Sequence, residues 1–378
     1  MGKFRPVADL GIIALKSSEE ISVKIDGYIK KWRGKDRLEK LEDEFSFLVE
    51  NECPRFGSGE AKSHLGRSIR GKDLFILVDV TNHSIEYDMY GEKTKMSPDD
   101  HYQDLKRVIS AIGGKAHRIT VIMPFLYEGR QHKRQSRESL DCAVMLRELE
   151  NMGVDTIITF DAHDPRVQNA ISLANFENVS PSFQFVKSMV ENIPDLKIDS
   201  DHLMVISPDE GATARAIFLS SVLGVNMGMC YKRRDFTKIV NGKNPIISHE
   251  FLGDNVEGKD VVIIDDMISS GESMLDVAKQ LKDRKANRVI VLSTFGLFTN
   301  GFTEFDKAYE EGLIYRVLTT NLIYQSSALL SKEYYISVPM EEYIAALIDN
   351  LNCDNSISDL INPATKIKEY LSEEKVEA

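Results

Sequence analysis

Three strand-like segments recur in the same order in the two halves of the chain, and that ordered repeat restricts the fold more than any other feature. Gly71-Lys72-Asp73 leads into LFILVD, and Gly258-Lys259-Asp260 leads into VVIIDD. RITVIMPF, from Arg118, is echoed by RVIVLSTF, from Arg288, and GVDTIITFD, from Gly153, by GLIYRVLTT, from Gly312. Buried strands all draw on Val and Ile, so any single echo is weak. The repeated Gly-Lys-Asp lead-in and the preserved order point to two domains of one fold. Helical patterns lie between the strands. Ser97-Pro98 reads as a helix cap with proline at the first position, and Leu105, Val108, Ile109 and Ile112 follow on one helical face. Gly113-Gly114 stops that helix, and the next is expected near Arg137. Strands alternating with helices imply an α/β fold, a mainly parallel sheet flanked by helices in each domain.

The 378 residues accommodate two such domains. Residues 1–40 show no counterpart in the second half and read as an N-terminal extension. The first domain is expected over 41–178, completed by 335–378, and the second over 179–334. The longest apolar runs, such as ITVIMPFL, are too short to span a bilayer, and the N-terminal MGKFRPVADL lacks a signal peptide's apolar core. Four cysteines without a CxxC pair argue against a zinc site and for reduced thiols. A cytoplasmic protein that avoids membranes is expected. The formal charge of −12 disfavours general nucleic-acid binding. Against that acidic background, GRQHKRQSR (129–137) and YKRR (231–234) follow strand-like runs. Ligands of open α/β sheets bind at the carboxyl ends of strands, so these cations are read as anion-binding rather than as solvated loops.

The stretch DDMISSGES follows the second Gly-Lys-Asp strand. Asp265 and Asp266 stand at the expected strand end, and Ser269, Ser270 and Gly271 make a tight turn into a helix whose buried face is Met274, Leu275, Ala278 and Leu281. Such a turn presents unpaired N–H groups and the positive end of the helix dipole, a ready phosphate site. Ser270 and Ser273 add hydroxyl donors. The carboxylates would accept hydrogen bonds from a diol or hold Mg²⁺ through water. A phosphate on the turn and a diol on the aspartates together describe a ribose 5-phosphate group. A capped helix after a buried strand is the plainer alternative, and it leaves the second aspartate unexplained.

The same stretch resembles the phosphoribosyl-pyrophosphate loop of type I phosphoribosyltransferases, D-D-x-x-x-[ST]-G-x-[ST]. Five further segments narrow the resemblance to the ribose-phosphate pyrophosphokinases, or PRPP synthetases. RFGSGEAKSHLGRSIRG resembles their FSDGE and ESIRG segment, and MPFLYEGRQHKRQSRES their PYxxYARQDRK…REP loop. FDAHDPRVQNA resembles DLHAxQIQGFF, ISPDEGATARA resembles VSPDxGGxxRA, and YKRRD resembles DKRRP. All six segments keep the family's order, over roughly residues 45–350. The resemblance implies two phosphoribosyltransferase-like domains. It also implies transfer of the pyrophosphoryl group of Mg-ATP to the 1-hydroxyl of ribose 5-phosphate, giving PRPP and AMP for nucleotide biosynthesis.

By the same resemblance Lys232 and Arg234 are catalytic, on a loop expected to move, with Asn241-Gly242 and Lys243-Asn244-Pro245 as its turns. Ser58, Gly59 and Glu60 contact the adenine, and Arg130, Gln131 and His132 bind the nucleotide. His163, Asp209 and Asp161 take the magnesium positions. Asp265, Asp266, Ser269, Ser270, Gly271, Glu272 and Ser273 bind ribose 5-phosphate. Sites shared between subunits imply a homo-oligomer. The chain departs from the pattern at Ser58 and Ser269, where the family has Asp, at His132, near another family Asp, and at Glu272, which replaces Gly. Residues 87–97 look inserted. These departures keep open a non-catalytic, nucleotide-binding regulatory member of the family. A phosphoribosyltransferase consuming PRPP is a third reading, and it leaves the two basic clusters unexplained.

Overall fold

The glycine that opens each Gly-Lys-Asp lead-in is left-handed, with φ 71° at Gly71 and 78° at Gly258. That backbone costs a residue bearing a Cβ about 1–2 kcal/mol. In the computed structural model, which describes residues 5–36, 45–134, 136–234 and 246–377, the turn builds the same bracket twice. Gly71 N–H donates to Lys115 O and Gly258 N–H to Lys285 O, both at 2.9 Å. His117 N–H donates to Lys72 O at 2.8 Å, and Asn287 N–H to Lys259 O at 2.7 Å. Asp73 accepts Nε and Nη2 of Arg118 at 2.9 and 2.7 Å. Asp260 accepts the same two groups of Arg288 at 3.0 and 2.6 Å. The sequence repeat is therefore a clamp that pins the start of one strand to the start of the next. Both aspartates are buried, so the two-pronged geometry is what offsets their desolvation.

The chain divides into two compact units, Met1–Ser180 with Asn321–Tyr324 and Pro339–Asn362, and Pro181–Thr320 with Gln325–Val338 and Pro363–Ala378. The first holds a five-stranded parallel sheet in the order Leu10–Ala14, Asp73–Leu77, Arg118–Ile122, Thr156–Phe160, Asn175–Val179. The second holds seven strands in the order Ile246–Leu252, Asn226–Arg234, Leu203–Ser207, Asp260–Ile268, Val289–Gly296, Arg316–Thr320, Tyr335–Val338. All neighbours there are parallel except the edge pair Asn226–Arg234 and Ile246–Leu252. Helices cover the sheets, and the central strands are buried along their whole length, as their continuous apolar runs require. Among the described residues no helix is long and apolar enough to cross a membrane.

The expected extension over 1–40 is corrected in its described part. Leu10–Ala14 is the edge strand of the first sheet, and its register on Asp73–Leu77 (Leu10 opposite Asp73) matches that of Leu203–Ser207 on Asp260–Ile268 (Leu203 opposite Asp260). It has a counterpart after all. LGIIA escaped notice because five apolar residues without a Gly-Lys-Asp lead-in carry no distinctive signal. The helix Glu19–Asp36 that follows is tied to Glu341–Asn352 by Arg33, whose Nε donates to Asp349 Oδ1 at 2.8 Å and Nη2 to Asn352 Oδ1 at 2.7 Å. Residues 37–44, where the extension was expected to end, lie outside the described residues. The C-terminal segment also divides differently from expectation. Pro339–Asn362 joins the first unit, whereas the helix Ala364–Glu377 packs Ile367 into the core of the second.

The helix Pro98–Ile112 starts as its sequence requires. Ser97 and Asp100 form a reciprocal capping box, and Gly113 ends the helix at φ 58°. The next helix, Asp141–Asn151, starts four residues later than Arg137. The inserted residues form an antiparallel hairpin, Glu86–Met89 with Glu92–Lys95, closed by Tyr90-Gly91 with φ 51° and 84°. Two positive φ values are what a two-residue hairpin turn demands.

Candidate active site

The stretch Asp265–Ser273 sits at the carboxyl end of a central strand of the second sheet. The strand does not end at the aspartates, as expected. It continues through them to Ile268, because Asp265 stays in register with Ser293 and Met267 with Phe295. Beyond it the turn is braced from behind. Ile268 O accepts Leu297 N–H at 2.9 Å, and Ser269 O accepts Thr299 N–H at 2.9 Å. Gly271, at φ 85°, precedes the helix Glu272–Asp283, and no side chain caps that helix. Ser270 Oγ lies 3.5 Å from Glu272 N, at the outer limit of a hydrogen bond. No side-chain cap therefore occupies this helix start, the kind of position at which a phosphate binds.

Beside this turn the carboxylates crowd together. Asp266 is buried, and its backbone N–H donates to Asp265 Oδ1 at 2.8 Å. Burial, then the Asp266 carboxylate, then Asp209 push Asp265 up to about 8. Burial and this crowding thus favour the protonated form of Asp265. Asp209 follows the neighbouring strand Leu203–Ser207, and its Oδ1 accepts N–H groups of Gly211 at 2.8 Å and Ala212 at 3.2 Å. Asp209, Asp265 and Asp266 are therefore brought together. Arg215, on the helix Thr213–Leu223, adds a cation that the sequence reading passed over, with Nη2 3.8 Å from Asp266 Oδ2. Its signal was present in the segment ISPDEGATARA.

Lys232 and Arg234 lie on a strand rather than on a loop. They close the strand Asn226–Arg234, with Lys232 opposite His249 and Arg234 opposite Ile246, and a bulge falls between Arg233 and Arg234. The loop expectation is corrected to this extent: the backbone at both residues is strand, held by pairing with IISHEFL, a partner that the sequence reading did not identify. The expected turns Asn241-Gly242 and Lys243-Asn244-Pro245 lie outside the described residues.

In the first unit a second cluster forms after the strands Arg118–Ile122 and Thr156–Phe160. The basic segment folds back on itself, with Gln131 N–H donating to Glu128 O at 2.8 Å and Gln131 Nε2 to Ser139 O at 2.8 Å. Arg130 is exposed beside it. His132 Nε2 lies 3.4 Å from Asp164 Oδ2, and its ring centroid lies 5.3 Å from that of His163. Burial lowers the His132 pKa, while Asp164 counteracts it. Arg166 holds Asp164 far below the usual carboxylate range. Asp161 adopts φ 43°, which is rare for a residue with a side chain, and its N–H donates to Val179 O at 2.9 Å. That sharp turn ends the strand and delivers an exposed His163. So His132 converges with His163 and Asp164.

Ser58, Gly59 and Glu60 occupy their own turn in this unit, with Ser58 Oγ 3.0 Å from Glu60 Oε2. Among the described residues no three His, Cys, Asp or Glu side chains converge into a metal cage. His163 and Asp209 belong to different units.

The comparisons agree with this architecture. Residues 10–153 match the family model for the N-terminal domain of ribose phosphate pyrophosphokinase, and residues 172–310 match the phosphoribosyl transferase domain. A ribose-phosphate pyrophosphokinase of Vibrio parahaemolyticus is 26% identical over 312 residues, 82% of this chain and 90% of the relative. One from Ralstonia nicotianae is 29% identical over 250 residues, 65% of this chain and 70% of the relative. The crystal structure of phosphoribosylpyrophosphate synthetase from Mycobacterium smegmatis superposes with a TM-score of 0.71 at 21% identity, covering 91% of this chain and 98% of that one. At that identity the likeness concerns the fold.

Proposed function

The chain belongs to the ribose-phosphate pyrophosphokinase family, and from that premise we propose that it converts ATP and ribose 5-phosphate into AMP and PRPP. The 1-hydroxyl oxygen of ribose 5-phosphate forms a bond to the β-phosphorus of ATP, the bond between that phosphorus and the α,β-bridging oxygen breaks, and AMP leaves. The hydroxyl proton passes to solvent or to a phosphate oxygen. The observation that carries the reading is the Asp265–Ser273 stretch, where two crowded carboxylates adjoin an uncapped helix start. Together they offer a diol and a phosphate the two complementary surfaces of one small site.

Transfer of a polyanionic group needs little covalent chemistry from the protein, so its residues act by position and charge. The turn at Ser269–Ser273 holds the 5-phosphate. Asp265 and Asp266 accept the ribose hydroxyls and orient the 1-hydroxyl. Arg130, Gln131 and His132 hold the nucleotide, and Ser58–Glu60 meet its base. Lys232 and Arg234 supply the cations that neutralise the migrating group in this reading.

The donor set fits Mg²⁺. Burial, then the Asp266 and Asp209 carboxylates, raise the pKa of Asp265, an arrangement a hard cation relieves. Mg²⁺ typically takes one or two carboxylates plus substrate phosphates rather than a protein cage. In the first unit Asp161 and His163, and in the second Asp209, are further candidates to hold Mg²⁺. Bound there, Mg²⁺ would neutralise charge on the phosphates. The family's shared sites carry over the reading of a homo-oligomer, working in the cytoplasm where nucleotides are made.

Chromatographic detection of AMP tests this reading. AMP is expected only when ATP, ribose 5-phosphate and Mg²⁺ are all present. Folded protein that binds ATP and yields no AMP with any of several nucleotides would hand the site to the non-catalytic regulatory reading.

A further inference from the structure

We propose that the hairpin Glu86–Lys95 is a positioning element for the nucleotide, holding the Phe56–Glu60 turn in the shape that receives the base. The inference rests on the base-contacting role proposed above for Ser58–Glu60. The turn is closed at its root by Phe56 N–H to Glu60 O at 2.7 Å and by the bridge between Arg55 and Ala61. The inserted hairpin grips it at three points. At the tip, Tyr90 N–H donates to Gly57 O at 2.8 Å. Met89 lies over Gly59, where an added Cβ would come within 2.8 Å of its sulfur. Gly59 also sits at φ 91°, so glycine is required there twice over. At the root, the Arg55 guanidinium lies 4.9 Å from the centre of the Tyr87 ring.

Arg55 is in turn fixed from the Pro98–Ile112 helix. Its Nη2 donates to Asp104 Oδ2 at 2.8 Å, with the two side chains 8% and 10% exposed. Behind the hairpin lies a cavity of about 480 Å³, lined in part by Leu15, Cys53, Ile85 and Met96. On that side the hairpin is not seated on a filled core, so its contacts with Gly57, Gly59 and Arg55 add to the bond from Met96 N–H to Ile85 O at 2.8 Å that closes its base. Meanwhile Phe56, Ser58 and Glu60 remain exposed. One side of the turn is clasped and the other is presented. A turn without the clasp would be ordered only when nucleotide binds, and that ordering subtracts from affinity. The hairpin acts on the base end alone, so its loss should appear in KM for ATP rather than in kcat or in KM for ribose 5-phosphate.

The test pairs Tyr87→Leu with Met89→Ala in the full chain, checked for folding by its thermal midpoint. KM for ATP, and the Kd from direct ATP titration, should rise about tenfold, while kcat and KM for ribose 5-phosphate stay within about twofold. Tyr87→Phe, which keeps a ring under Arg55, should hold the wild-type KM. If the double variant fails to fold, Met89→Ala alone should still raise KM for ATP about threefold. ATP titration also separates the two ideas. A wild type that makes no AMP defeats the proposed reaction, while the loss of ATP binding in the variants still decides the hairpin's role. A folded variant with unchanged ATP affinity, or with equal losses in kcat and in both KM values, overturns the inference.

Discussion

Gly271→Ala is the substitution whose effect follows most directly from the structure. Gly271 sits at φ 85°, where a residue with a Cβ pays about 1–2 kcal/mol. The new methyl would also meet Phe305, with ring carbons at 2.2 and 2.6 Å. Phe305 cannot swing away freely, because it is 1% exposed and packs edge-on against Phe298 at 5.1 Å. Overpacking of this kind costs about 1–3 kcal/mol. The two penalties sum to roughly 2–5 kcal/mol, which for a unit of this size lowers the thermal midpoint by roughly 4–20 °C. If the turn shifts to relieve the contact, the serines of Ser269–Ser273 move with it and KM for ribose 5-phosphate rises. Calorimetry and steady-state kinetics read the two outcomes, and hydrogen exchange over Glu272–Asp283 localises the damage. A midpoint within about 2 °C of wild type with unchanged KM would show that neither the left-handed turn nor the Phe305 contact is as described.

Three further substitutions test other parts of the account. Asp265 has a folded pKa raised from 3.8 to about 8, so the unliganded fold holds an extra proton in that window and loses stability as pH rises through it. Asp265→Asn should therefore gain on wild type between pH 5 and pH 8 in denaturation profiles, while losing about ten- to hundredfold in ribose 5-phosphate affinity; parallel profiles would contradict the crowded-carboxylate picture. Asp260→Ala leaves Arg288 without its two-pronged partner and should cost about 3–5 kcal/mol, measured by chemical denaturation; a loss under about 1 kcal/mol would remove the clamp as an organising feature. Lys232→Ala should lower kcat by about 10²–10³ while ATP binding persists; near-normal kcat, or a loss explained by weaker ATP binding alone, would remove its catalytic role.

The two-domain α/β plan was legible because a clamp repeats in the sequence. Gly71-Lys72-Asp73 with Arg118, and Gly258-Lys259-Asp260 with Arg288, are side-chain and backbone requirements that leave letters behind. The strand Leu10–Ala14 makes the same kind of pairing through backbone alone, so its sequence says only that it is buried. The aspartate pair and the Ser-Ser-Gly turn were readable for their chemistry, yet the strand's extent was not, since ladder register on Val289–Gly296 decides where it ends. Likewise YKRR looked like loop because the pairing that makes it strand comes from Ile246–Leu252, beyond a local window. The convergence of His132 with His163, and of Tyr87 with Arg55, depends on tertiary distance and has no signature in spacing.

The central claim is that a pyrophosphoryl group, rather than a single phosphoryl group, moves from ATP to the 1-hydroxyl of ribose 5-phosphate. Phosphorus-31 magnetic resonance of the complete reaction with Mg²⁺ measures this directly. The account predicts AMP and a sugar pyrophosphate resonance growing in equal amounts as ATP declines, with neither forming when ribose 5-phosphate is left out. Accumulation of ADP with a sugar bisphosphate, or of AMP with free pyrophosphate independent of the sugar, would contradict it.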